Sequence, residues 1–206
     1  MIKRTGCKNR NCHRQEPWTL EEYLKFSEAI QDDAQLHCAC QVLFWCGLRI
    51  GELLSMTKGN VDLENGILHV LDSDVTTQLS QEIARSKNGR RSIHMPEVLT
   101  EELAQYLNSL ENLSPQDRIF TCAITDLRKA ISTGAKKAGI DKVSIHSLRS
   151  SHIKLLMTTG IARSMKEIAE RLGTTVLLPP EEDNSSEPCD DALIAEKLNR
   201  IMKGEC

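Results

Sequence analysis

Aromatic residues are scarce in this sequence, with two Trp, two Tyr and three Phe among 206 residues. The core must therefore be assembled mainly from Leu, Ile, Val, Ala and Met. Any chemistry that needs a tyrosine has only Tyr23 and Tyr106 to draw on. Long hydrophobic runs are missing, and the start is basic and polar rather than a secretory leader, so no membrane span and no export are expected. A cytoplasmic location follows as the expectation. A dominant charge sign is missing too. The 26 Lys and Arg against 29 Asp and Glu give a formal net charge of −3. That excludes a global basic field, so a nucleic-acid surface has to be a local patch. Eight Cys are present, but Cys38, Cys40, Cys46 and Cys122 fall inside helix-like apolar patterns. They read as small buried hydrophobes, not as a disulfide scaffold.

The length suits one domain with appendages. Residues 1–16 carry Lys3, Arg4, Lys8, Arg10 and Arg14 before the first acid, Glu16, and read as a basic arm or linker. Structure starts after Pro17. Thr19-Leu-Glu-Glu22 is a capping box, with Trp18 and Tyr23 as a possible staple, and predicts a helix to about Ile30. Further helices are expected over 34–46, stopped by Gly47, and over 50–55. The period then changes. Leu63-Glu-Asn-Gly66 is a turn, 67–71 reads as a strand, another strand ends near Ser86, and Asn88-Gly89 turns the chain into a strand over 90–95. Helices follow near 99–110, 125–138, 147–158 and 165–172, the last behind a second capping box, Ser164-Met-Lys-Glu167. Residues 174–191 are acidic, rich in turn formers and Pro-containing, and read as a loop. An amphipathic helix over about 190–203 closes the chain, so residues 192–206 form a C-terminal helical unit.

Three groups of residues carry chemical meaning. Arg49 lies between glycines in Gly47-Leu-Arg-Ile-Gly-Glu-Leu-Leu54, at a corner between two helices. Alone, this is as well explained by packing of the corner. His146-Ser-Leu-Arg149 puts an imidazole and a guanidinium on one face at a helix start, which suits a phosphate. Alone, H-x-x-R is more often a surface pair. Arg85, Lys87, Arg90 and Arg91 surround the Asn88-Gly89 turn. They form either a solvated charged turn or a loop that follows a nucleic-acid backbone.

Their order and spacing resemble the catalytic domain of tyrosine recombinases, the phage integrase family, and most nearly the integrases of conjugative transposons and phages of Gram-positive bacteria. Pro17-Trp-Thr-Leu-Glu-Glu-Tyr-Leu-Lys-Phe26, Leu43-Phe-Trp-Cys-Gly-Leu-Arg-Ile-Gly-Glu-Leu-Leu54, Arg118-Ile-Phe120, Ala135-Lys-Lys-Ala-Gly139 and Ile145-His-Ser-Leu-Arg-Ser-Ser-His-Ile-Lys-Leu-Leu156 carry the likeness. It covers residues 17–173 as a catalytic domain, with 174–191 divergent. The fold it implies is α+β and mostly helical, with a small three-stranded antiparallel sheet. The activity it implies is DNA recombination and integration: strand cleavage and rejoining through a phosphotyrosyl bond, with double-stranded DNA as partner and with no cofactor and no metal.

On this resemblance Arg49 and Arg149 would clamp the phosphate and His146 would assist proton transfer. Glu52 would orient Arg49. The general acid would be Lys87, although register from Pro96 lands on Arg85, and an arginine is a poor acid. Arg85, Arg90 and Arg91 would touch the DNA backbone. The final helix resembles one that packs against a neighbouring subunit, so self-association through it is expected. The pattern breaks after Arg171-Leu-Gly173. Thr174 stands where relatives carry His or Trp, and no tyrosine follows Arg149, so no nucleophile is found. Cleavage should be impaired. The alternative is a non-catalytic DNA-binding or regulatory remnant. Two lesser readings are a metal module at Cys7, Cys12 and His13, and a hydrolase pairing His152 with Ser150 or Ser151. For His152 itself, a hydrogen-bonded place in the core is the plainer expectation.

Overall fold

The computed structural model describes residues 16–71, 90–110, 112–174 and 189–205. Their helices are α1 (Leu20–Ala29), α2 (Ala34–Trp45), α3 (Ile50–Ser55), α4 (Glu97–Ser109), α5 (Ile124–Ala138), α6 (Ile145–Thr158), α7 (Met165–Leu172) and α8 (Asp191–Met202). A three-stranded antiparallel sheet runs β1 (Val61–Asp62), β2 (Ile67–Val70) and β3 (Arg91–His94), in that order. The architecture is the expected one. The membership of the sheet is not, because β1 lies before the Leu63–Gly66 turn, where the sequence reading saw no strand. At two residues, β1 is too short to show an alternating pattern. The strand proposed to end near Ser86, with Arg85 and Lys87, falls outside the described residues.

α2 is the hub. Its sequence, AQLHCACQVLFW, is apolar on every side, and such a helix has to be buried all round. Cys38 through Trp45 are all buried, and α1, α3, α4, α5 and α6 pack around them. Burial pushes the thiols of Cys38, Cys40 and Cys46 up to about 12, so these cysteines are inert space-fillers. All seven aromatics are buried despite their scarcity. Five of them form one cluster between α1 and α2. Tyr23 stacks on Phe44 with centroids 3.5 Å apart, Trp45 meets Phe44 edge-on, and Trp18 leans on Phe26 at 4.8 Å. α5 closes against α1 through Gly134. A Cβ there would lie 2.4 Å from Ile30 and 2.7 Å from Phe26, so only glycine allows this approach.

The helix starts follow their capping chemistry. Thr19 and Glu22 bond reciprocally, as the motif predicts. The second box forms by half. Ser164 accepts from Glu167 N, but the Glu167 carboxylate turns to Arg163, taking its backbone N–H at 2.6 Å and its guanidinium at 2.7 Å. A charged partner one residue away outcompetes the neutral backbone donor. α6 starts two residues before the expected boundary, because Ser144 caps it through Ser147 N. α4 follows Pro96, which offers no side-chain cap. The Asn199 side chain of α8 accepts from Val98 N instead, at 3.0 Å. α8 buries Ile194, Ala195 and Leu198 while packing on α4 and β3 of its own chain. No helix among the described residues is long and apolar enough to cross a membrane.

Candidate phosphate-binding site

The site begins at the corner after α2. Gly47 takes φ +62, and a Cβ there would meet Leu172 at 2.6 Å and His152 at 2.7 Å. Both the left-handed backbone and the close approach require glycine. Arg49 sits at the start of α3. Its backbone N–H and guanidinium both donate to Glu52, at 2.7 and 2.8 Å, and the guanidinium also donates to the Gly173 carbonyl at 3.0 Å. Its side chain is 42% exposed, so the outer part of the guanidinium meets solvent.

Glu52 is buried and has a second, stronger partner. Arg91 approaches it end-on, with Nη1 to Oε1 at 2.9 Å and Nη2 to Oε2 at 3.1 Å. Burial alone would raise the Glu52 carboxyl. The hydrogen bonds and charges of Arg91 and Arg49 outweigh it and hold the group below its ordinary value.

This corrects the reading of Arg91 as part of a solvated basic turn. Its side chain is only 7% exposed. The alternation of β3 explains why: Arg91 shares a face with Ile93, which is fully buried, whereas Ser92 points outward to His69. An inward-facing arginine is tolerable because Glu52 waits for it. Arg90 is exposed, as a residue of the turn should be.

Arg149 rises from the second turn of α6 and is 6% exposed. It donates to the Gly47 carbonyl at 2.6 Å and to the Leu172 carbonyl at 2.8 Å. Desolvation, then the nearby charge of Arg49, lowers its pKa to about 10, with Glu52 opposing and Arg91 adding to the shift. It stays charged at neutral pH. His146 lies one turn earlier on the same helix, in its first turn, with an exposed side chain. The structure thus gathers Arg49, Arg91 and Arg149 around one carboxylate. This excess of positive charge, beside a helix N-terminus, is suited to an anion.

Arg171 was not among the expected site residues. It is fully buried, ion-paired with Asp191 and bonded to the carbonyls of His94 and Trp45. The signal was present: Arg171 lies three residues after Ile168, on the apolar face of α7, where a charge needs a partner.

His152 is a core residue, fully buried, but it is not hydrogen-bonded as expected. Neither ring nitrogen completes a well-formed bond, and its contact with the Phe44 backbone is marginal. Burial, then Arg171 and Arg149, push its pKa far down, so it is neutral. Ser151 donates to the Ser147 carbonyl at 2.8 Å, and neither ring nitrogen of His152 accepts from Ser150 or Ser151, which counts against the hydrolase reading. Cys7, Cys12 and His13 lie outside the described residues. The two tyrosines are sequestered. Tyr23 is fully buried, with its hydroxyl on Gln41 and Cys40 and its pKa pushed well up by burial. Tyr106 bonds the Ile119 carbonyl and is raised to about 12, chiefly by burial.

A model of the phage integrase family matches residues 16–174. No curated protein shows a significant match. Among solved structures, XerA recombinase aligns with a TM-score of 0.63 at 21% identity, over 96% of this chain and 66% of that one. The Tn1549 transposon integrase in complex with a circular intermediate DNA gives 0.65 at 16%, over 94% and 68%. A lambda integrase dimer bound to a core site gives 0.57 at 18%, over 84% and 50%. The chain therefore spans about two thirds or less of the length of most of these structures.

Proposed function

We propose, for a chain that belongs to the phage integrase family, that residues 17–173 grip the backbone phosphates of double-stranded DNA and do not cleave it unaided. The observation that carries this is the gathering of three arginines about one carboxylate: Arg49 and Arg91 pair with Glu52, and Arg149 stands close enough to feel their charges while bonding the Gly47 and Leu172 carbonyls. On this reading the exposed side of the Arg49 guanidinium donates to a non-bridging oxygen, Arg149 adds its charge from beneath and donates as its carbonyl bonds yield, and His146 supplies a further donor at the α6 N-terminus. Arg91 is assigned to holding Glu52, and Arg90 to the DNA backbone. Lys87 remains the candidate general acid, with Arg85 as the competing position; both lie outside the described residues. Impairment is inferred because Tyr23 and Tyr106 are buried with bonded hydroxyls. A cytoplasmic location belongs to this reading. Self-association through α8 would require its apolar face, here turned onto its own chain, to exchange onto a second copy.

The test is a nicked duplex that traps a phosphotyrosyl enzyme. No covalent adduct should form, and duplex binding should weaken with salt. A single arginine contact accounts for about 0.9 of the log–log slope. Arg49→Ala should lower affinity and remove about that much slope. A stable adduct overturns the cleavage half; binding indifferent to salt and to Arg49 overturns the DNA half.

A further inference from the structure

The last turn of α7 has an unusual set of partners. A helix C-terminus leaves its final carbonyls without intrahelical donors, and it carries the negative end of the helix dipole. In α7 the Ala169 and Glu170 carbonyls are taken by the backbone N–H groups of Thr174 and Gly173, the usual glycine-ended closure. The next three carbonyls each receive a different arginine. Arg171 O accepts from Arg91 Nε at 2.8 Å, Leu172 O from Arg149 Nη2 at 2.8 Å, and Gly173 O from Arg49 Nη2 at 3.0 Å. The three guanidiniums come from β3, α6 and the start of α3. What sets their mutual spacing is the pitch of one turn of backbone.

That turn is itself fixed from one side. The Arg171 side chain, fully buried, pairs with Asp191 at the first position of α8. Asp191 also accepts from His94 N at 2.5 Å, at the end of β3. We infer that Arg171 and Asp191 are positioning residues of the arginine array: their buried pair fixes the α7 C-terminal turn, and that turn sets where Arg49, Arg91 and Arg149 stand. The pair is internal to the chain, Arg171 to Asp191. Its effect reaches the array through three carbonyls. The inference rests on the reading of the array as a phosphate grip, but the array geometry can be measured without DNA.

The test uses the whole chain, a short duplex oligonucleotide as probe, and the guanidinium NMR signals of Arg49, Arg91 and Arg149. Asp191→Asn keeps the shape and removes the charge, and Asp191→Glu returns the charge. Asp191→Asn is expected to shift the arginine signals and to weaken duplex binding on the order of tenfold, with Asp191→Glu recovering most of both. Arg171→Lys moves both readouts the same way, and decides the matter if Asp191→Asn does not fold. Lys203→Ala cuts an exposed pair that ties α8 to Glu97 of α4, and should leave the arginine signals in place. Unmoved arginine signals in Asp191→Asn overturn the inference, as does Lys203→Ala shifting them equally. Shifted signals in a protein that binds no duplex, wild type included, uphold the positioning and sink the DNA reading.

Discussion

The aromatic cluster around Tyr23 and the arginine cluster around Glu52 are both buried, yet opposite physics holds them. The first is made of rings packed face and edge against one another, with only the polar atoms of Tyr23, Trp18 and Trp45 hydrogen-bonded to neutral partners. Its stability scales with contact and volume, and nothing dissolved in the solvent can replace a missing ring. The second joins two arginines, Arg49 and Arg91, to one carboxylate, with Arg149 close by. It is stable only while charges and carbonyls are matched, and on the proposed function an anion from solution takes part. The interior thus divides into a part that holds shape unconditionally and a part whose comfort depends on what is bound.

The strongest way to break this comparison is to remove one member of each cluster. Phe44→Ala should cost about 3–5 kcal/mol, measured by denaturant unfolding, with no recovery in phosphate or sulfate. Glu52→Ala leaves the buried Arg91 uncompensated and should cost about 3 kcal/mol. Part of that loss should return as phosphate is added, because an anion that binds only the folded state stabilises it. Equal indifference of both variants to phosphate would erase the distinction.

A gentler probe is acid. The Glu52 carboxyl is held below its ordinary value of 4.5 in the folded state. Its contribution is therefore complete above that ordinary value and is lost as pH falls through the depressed folded one. Stability of the wild type should decline over that range more steeply than that of Glu52→Gln, read by thermal melts at stepped pH.

The smallest expected effect has the opposite sign. His152 is a buried imidazole without a completed hydrogen bond, set against Gly47. His152→Phe removes the orphaned polar atoms and should stabilise by about 1 kcal/mol, a rise in Tm of about 3 °C. A fall would mean that the marginal Phe44 contact matters more than the orphaned nitrogen.

The two clusters were not equally legible in the sequence. Helix starts were readable where a side chain caps its own helix, as at Thr19 and Ser164, because those bonds are local. Arg49, His146 and Arg149 could be singled out because their spacing matches a known pattern. Arg91 and Arg171 were misread or missed because what decides their fate lies far off: Glu52 is 39 residues from Arg91, and Asp191 is 20 residues from Arg171. The charge of a lone arginine says that it wants an anion. Only the fold says whether that anion is a neighbour or a ligand. β1 was missed for a simpler reason, since two residues carry no period.

The Asn199 cap on α4 has a consequence in time. Val98 and the side chain that satisfies it are 101 residues apart. During synthesis α4 leaves the ribosome long before its cap exists, and water must serve the open end until α8 arrives. The first turn of α4 is therefore completed late, by a segment made near the end of this sequence. A chain that stalls before residue 199 would present an α4 with its first turn uncapped and without α8 packed along it, a frayed start that marks the chain as incomplete.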